Sequence, residues 1–258
     1  MLIERRFGDA GIQIVMEEYM EGEEASVLAL VDGEHIVMLP GSQDHKRALD
    51  NDEGPNTGGM GAYCPTPLVD DELMRQIERE ILVPIVDALR RNDIVFQGVL
   101  YAGLMLTAGG PKVLEYNCRF GDPEIQPLLM RLRADLVDVM IATCQGKLNE
   151  VDLSWDPRCC CSCVRASGGY PGRYETGKTI SGIAEAEAMD DVTVFQAGTA
   201  MKDNQIVTAG GRVLSVVGTA PTLAEARAKA YHNNQRIHFT GSYYRKDIAA
   251  PSEGARVE

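Results

Sequence analysis

A carboxylate and a carboxamide stand two residues apart at Glu115 and Asn117, within the β-prone run Lys112 to Asn117. Side chains alternate along a strand, so these two share one face at a separation of about 7 Å. Two hard oxygen donors at that spacing suit a Mg²⁺ ion that completes its shell with nucleotide phosphates, rather than a cage built by protein alone. A solvated pair on an exposed strand is the plainer alternative for the two residues by themselves. Just beyond them, Arg119-Phe120-Gly121-Asp122-Pro123-Glu124 supplies a cation, a flexible glycine and a helix start with Asp122 as its cap. Such an arrangement receives an anion. The alternative is that Arg119 steadies the turn through a salt bridge to Asp122 or Glu124.

Two further segments carry complementary chemistry. Asp44, His45, Lys46 and Arg47 offer charges, while Asn56, Thr57, Gly58 and Gly59 let backbone amides approach a ligand or simply permit a turn. Glu17, Glu18, Glu21, Glu23 and Glu24, with Tyr19 and Met20 among them, would repel phosphate. Carboxylates there suit ribose hydroxyls or an adenine amino group, or form a solvated acidic turn. Cys159, Cys160, Cys161 and Cys163 include a C-x-x-C spacing, but no second pair or nearby histidine completes a zinc site. Small buried residues of a strand, with reduced thiols, are the favoured reading.

The elements that must position these groups follow from pattern. Runs at Ile12 to Glu18, Ala25 to Asp32 and Glu34 to Leu39 are β-prone, with Asp32-Gly33 as a hairpin signal. Gly41 to Cys64 is polar and glycine-rich with no helical or strand period, and is longer than a connection needs to be. Asp70 to Arg91 carries the apolar stripe of an amphipathic helix that Pro84 should kink. Val95 to Leu106 and Lys112 to Asn117 are expected to form an antiparallel pair, followed by one or two helices ending at Gly146. A polar connector at Asn149 to Arg158 suggests a domain boundary near Asp152, giving parts 1–150 and 151–258. Strands are expected at Cys159 to Ser167, Val192 to Thr199 and Ile206 to Val217, then a helix from Thr222, whose spacing to Glu225 is that of a capping box. The tail after Ile248 reads as polar and frayed.

Composition narrows the partners. The 258 residues carry 25 Lys and Arg against 38 Asp and Glu, a net charge of −13 that opposes both nucleic acid and an anionic membrane surface. The most apolar run, Val95 to Thr107, falls short of a membrane span, and charges at Glu4, Arg5 and Arg6 occupy the place of a signal peptide's apolar region. A folded cytoplasmic protein is the expectation.

Taken together, MEEYMEGEEAS, GSQDHKR, GPNTGGMGAY, FQGVLYAGLM, LEYNCRFGDPEIQP, SGGYPG and TAGGRVLSV closely resemble the phosphoribosylamine-glycine ligase family of the ATP-grasp superfamily, from about Phe7 to Ile248. The resemblance implies an α+β chain, a partial ATP-grasp domain whose lobe holds an antiparallel sheet, followed by a small mixed β/α C-terminal ligase domain. It implies that ATP phosphorylates glycine and that 5-phosphoribosylamine then attacks the acyl phosphate, giving glycinamide ribonucleotide, ADP and phosphate in purine biosynthesis. By the same resemblance Glu115 and Asn117 ligate Mg²⁺ or Mn²⁺, and backbone around Glu17 and Met20 meets adenine. Glu24 meets the ribose, and Arg119 holds the transferring phosphoryl or the glycine carboxylate. Asp44, Lys46, Arg47, Asn56, Thr57, Gly58, Gly59 and Asp122 are assigned to glycine and the amine substrate. The family's doubly wound N-terminal domain and its first grasp lobe, with a glycine-rich loop and phosphate-binding lysines, have no counterpart here, and Met1 to Gly11 resembles the exit from that lobe. The expectation is one wall of an ATP cleft, with little ligase activity alone. A separate chain supplying the rest, or a non-catalytic nucleotide- or partner-binding chain, stays open.

Overall fold

The structure, a computed structural model, describes residues 8–250. The expectations for Met1–Phe7 and for the end of the C-terminal tail therefore lie outside the described residues. Among the described residues thirteen strands run in chain order: β1 (Glu23–Asp32), β2 (Ile36–Met38), β3 (Gln43–Asp44), β4 (Arg47–Leu49), β5 (Glu53–Asn56), β6 (Gly61–Cys64), β7 (Gln97–Thr107), β8 (Gly110–Asn117), β9 (Cys159–Ala166), β10 (Val192–Gln196), β11 (Thr199–Lys202), β12 (Gln205–Thr208) and β13 (Arg212–Ala220). The helices are α1 (Asp71–Ile77), α2 (Val83–Arg91), α3 (Ile125–Leu129), α4 (Leu136–Gln145), α5 (Ile183–Glu187) and α6 (Leu223–Asn234).

One antiparallel sheet has the order β2-β1-β7-β8. Its central strands are apolar on both faces because helices cover both. Val27, Ala29 and Val31 of β1 and Leu100, Ala102 and Leu104 of β7 pack against Ile77, Ile81, Leu82 and Val86 of the α1–α2 arm. On the other face Leu28, Leu30 and Tyr101 meet Leu128 and Val139 of α3 and α4. Asp70 caps α1 by accepting from the Leu73 amide at 2.8 Å. The helical arm then widens into a π turn at Glu78–Leu82, which lets Pro84 enter the first turn of α2 without losing an internal hydrogen bond. The expected kink is thus absorbed as a π turn.

A second sheet has the order β10-β13-β9-β6-β3. It draws β3 and β6 from before residue 150 and its other strands from after residue 158. Helix α6 lies on it so closely that a Cβ at Gly218 would stand 2.5 Å from the Ala226 carbonyl oxygen, and Ala226 and Ala230 are the small residues facing that contact. The capping box at Thr222 and Glu225 is present in full.

Three expectations differ from the structure. Ile12 to Glu18 forms no strand, because the acids that follow hold it at the exposed edge, where Glu18 pairs with Lys112 of β8. Gly41 to Cys64 is not structureless: it folds into β3, the β4–β5 ribbon and β6, strands of two to four residues that are too short to show a period, and β9, about a hundred residues away, joins β6 and with it β3 to the second sheet. Asp122 does not cap α3, whose first turn has no side-chain cap. Its carboxylate instead accepts from Gln126 at 2.8 Å and meets Arg212 at 3.1 Å.

Candidate active-site cleft

A cleft of about 440 Å³, open to solvent, lies where β1, the β3–β6 segment, β8 and the turn before α3 converge. That is the size of a nucleotide-scale ligand site. Glu24, Asp44, Lys46, Asn56, Thr57, Gly58, Glu115, Asn117, Arg119 and Asp122 all line it, so residues up to about a hundred positions apart become neighbours. Lys46 stands 2.5 Å from Glu24. Against the cost of burial, that hydrogen bond and charge raise the Lys46 pKa, so the cleft holds a permanent cation beside its mouth.

On β8, Asn117 donates its amide N–H to Glu115 at 3.2 Å. With the amide nitrogen committed to that bond, the carboxamide oxygen is the atom of Asn117 able to act as an oxygen ligand. Among the described residues no group of three or more acids, histidines or cysteines could hold a metal by itself. The donor set is one carboxylate and one amide, and it therefore fits a hard divalent ion shared with phosphate oxygens. Leu114 also lines the cleft, although simple alternation would turn it to the opposite face from Glu115. The cause is a register shift at this point, Gly103 pairing with Glu115 but Leu104 with Val113, so that Leu114 is the extra residue of a bulge that re-aims its side chain.

Behind these groups sits a carboxylate that the sequence reading passed over as a site residue. Glu124 is 3% exposed and accepts from Tyr101 Oη at 2.6 Å and from Ser26 Oγ at 3.2 Å. Burial, followed by the Glu124 charge, raises the Tyr101 pKa, keeping the phenol a donor. Burial and the same Glu124 charge hold the Asp44 carboxyl well above the ordinary aspartate value, despite Lys46 and Arg212 nearby. Asp44 Oδ1 is buried with no hydrogen-bond partner. Tyr101 and Glu124 carried no local signal, since one is a strand aromatic and the other lies within an apparent helix start.

The remaining expected residues are placed differently. Gly59 is buried at φ +108°, with Asp44 Oδ1 and the Pro123 ring filling the space where a Cβ would stand, so it shapes the rim through its backbone. Arg47 turns outward along the β4–β5 ribbon, donating to the Gly54 carbonyl at 2.8 Å. Glu17 and Met20 lie on the irregular segment before β1 and do not line the cleft. Arg119 is exposed at the cleft edge and donates to its neighbour's carbonyl, Phe120 O, at 2.7 Å, rather than to Asp122 or Glu124. The cysteines of β9 are free thiols, and burial pushes Cys160 up to about 11 and Cys163 up to about 12, which makes them packing residues.

The antiparallel sheet sandwiched by helices, with acids and cations gathered at one end, belongs to the ATP-grasp fold class. The biotin carboxylase domain of Hydrogenobacter thermophilus 2-oxoglutarate carboxylase has this fold at 14% identity, with a TM-score of 0.62 over 88% of this chain and 48% of that one. The chain belongs to the phosphoribosylglycinamide synthetase family: that family's ATP-grasp (A) domain matches residues 1–125 and its C domain matches residues 160–251. A phosphoribosylamine–glycine ligase of Rhodopirellula baltica is 53% identical over 246 residues, covering 95% of this chain and 56% of the relative. The crystal structure of the Thermotoga maritima phosphoribosylamine–glycine ligase is 36% identical with a TM-score of 0.77, over 90% of this chain and 57% of that one. The chain thus spans somewhat more than half the length of the relatives it matches.

Proposed function

We propose that this chain carries one wall of a cleft in which ATP drives the joining of glycine to 5-phosphoribosylamine. The observation that carries the reading is the meeting, in one cleft, of the Glu115–Asn117 oxygen pair, the cations Lys46 and Arg119, the half-buried Asp44 and the buried Glu124. On this reading Glu24 meets the ribose hydroxyls, and Glu17 and Met20 lie near the adenine. Glu115 and Asn117 would hold a divalent ion, Mg²⁺ or Mn²⁺, which when bound neutralises phosphate charge. Arg119 grips the transferring phosphoryl or the glycine carboxylate. Asp44 with Asp122, Lys46 and the Asn56-Thr57-Gly58-Gly59 rim orient glycine and the amine, while Arg47, turned outward along the β4–β5 ribbon, stays outside this set.

The chemistry asks little covalent work of the protein. The glycine carboxylate oxygen takes the γ-phosphoryl group as ADP leaves. The amine of phosphoribosylamine then attacks the acyl carbon, phosphate departs and the amine loses a proton. Orientation, fixed positive charge and exclusion of water carry the acceleration. On this reading the chain divides into parts 1–150 and 151–258 and works in the cytoplasm. Among the described residues no helix is long and apolar enough to cross a membrane.

A second element of the reading concerns the open side. Val15, Met16 and Tyr19 are 83 to 90% exposed beside the cleft's first strand. Apolar side chains so exposed favour a covering surface, supplied by further residues of a longer polypeptide or by a separate chain. The test is glycinamide ribonucleotide formation from ¹³C-glycine, followed by mass spectrometry, using protein isolated from its own cells so that whatever completes the cleft is present. Labelled product and glycine-dependent ADP release are expected, with product lost in Glu115→Gln. ADP release that ignores glycine, or that other amino acids support equally, overturns the reading.

A further inference from the structure

The motifs Ser167–Gly172 (SGGYPG) and Thr208–Val213 (TAGGRV) have no part in the chemistry above, yet they meet at the cleft's rim. Ser167 donates its amide to Gly211 O at 2.7 Å and its hydroxyl to Gly210 O at 2.9 Å. A Cβ on Gly211 would stand 2.2 Å from the Tyr170 ring. The glycines therefore let the ring lie flat on the chain. Tyr243 Oη donates to the Tyr170 carbonyl at 2.7 Å, and the Tyr170 hydroxyl accepts from the Gly58 amide at 3.1 Å.

Beside that contact Arg212 reaches across from β13. Its Nη1 donates to Asp122 O at 2.5 Å, Gly58 O at 2.7 Å and Gly59 O at 3.3 Å, while Nη2 lies 3.1 Å from the Asp122 carboxylate. A register shift between Arg212 and Leu214 in the β13–β9 pairing aims the side chain this way. One guanidinium thus ties the glycine rim to the turn that follows Arg119. No other side-chain type presents several donors in a rigid plane able to span both.

We propose that Arg212 is a positioning residue for the cleft: from the C-terminal part of the chain it sets the spacing between the Gly58–Gly59 rim and the Asp122 turn, and with it the placement of Asp44 and Arg119 toward the small amino acid and amine substrates. The inference rests on the reading proposed for the cleft, but its structural test does not. Gly59 packs between Asp44 and Pro123, so any slip of one rim against the other displaces Asp44 and the Asp122–Pro123 turn together.

The test compares Arg212→Met, which keeps the stem and loses the donors, with Arg212→Lys and Arg212→Ala. Hydrogen exchange of the amides of residues 57–60 and 121–125 is expected to speed about tenfold in all three, with β1 and β7 unchanged. Ethylguanidinium added to Arg212→Ala should restore protection, and ethylammonium should not. Tyr170→Phe, a milder change, should loosen residues 57–60 alone. In protein from its own cells, the glycine concentration for half-maximal ADP release should rise about tenfold, with Mg·ADP affinity unaltered. Unchanged exchange in Arg212→Met, rescue of Arg212→Ala by ethylammonium, or loosened rims with no change in glycine dependence would each overturn the inference. ADP release that ignores glycine in the unsubstituted protein removes the ligase reading instead, and the exchange measurements then still decide the role of Arg212.

Discussion

His45 lies between two cleft residues, Asp44 and Lys46, and its Nε2 accepts a hydrogen bond from the Ala249 amide at 3.2 Å. Burial, then the nearby Arg245 cation, lower its pKa from 6.5 to about 4. Protonation would turn the acceptor into a donor pointed at another N–H, so the geometry and the shift agree. Since the folded value lies below the unfolded one, the contribution to stability is complete above pH 6.5 and is lost as pH falls toward 4. The full shift corresponds to about 3 kcal/mol, and discounting for the partial exposure of His45 leaves about 2 kcal/mol. Urea unfolding followed by circular dichroism at pH 7.5, 6.5, 5.5 and 4.5 measures it. His45→Gln keeps an acceptor and does not titrate. The native protein should lose about 2 kcal/mol across this range beyond what the variant loses. Parallel slopes for the two proteins would refute the argument.

Asp32 is a second acid-sensitive anchor. Against the cost of burial, amides of His35, Leu148 and Glu34 hold its carboxyl at about 2, so its stabilisation is present above pH 3.8 and disappears toward pH 2. Asp32→Asn should cost about 2 kcal/mol at pH 7 in urea unfolding, and the difference from the native protein should close below pH 3. Tyr101→Phe removes the closest donor to the buried Glu124 and should cost about 2 kcal/mol in the same assay. A urea midpoint unchanged within error would contradict that hydrogen bond. Thr222→Ala deletes one half of the α6 capping box and should cost about 1 kcal/mol, read from the urea midpoint at unchanged slope.

Much of the molecule is written locally. The β-prone runs of β1, β7 and β8, the stripe of Asp70 to Arg91 and the Thr222 box follow from propensities, periods and caps that neighbouring residues set. Residue chemistry also singled out most of the cleft, because hard oxygens, cations and glycines cluster in short segments whatever the fold. Other features depend on partners remote in sequence. Gly41 to Cys64 becomes sheet because β9 pairs with β6, a hundred residues away. Glu124 matters because Tyr101 and Ser26 come to it across the first sheet, and Leu114 enters the cleft through a bulge that no alternation rule contains. Which chemical groups this chain possesses, and the local elements that carry them, can be read from its residues in order. Which of those groups come to share a low-dielectric space is a matter of packing, since burial, charge coupling and the reach of Arg212 depend on distances that close when the two sheets pack.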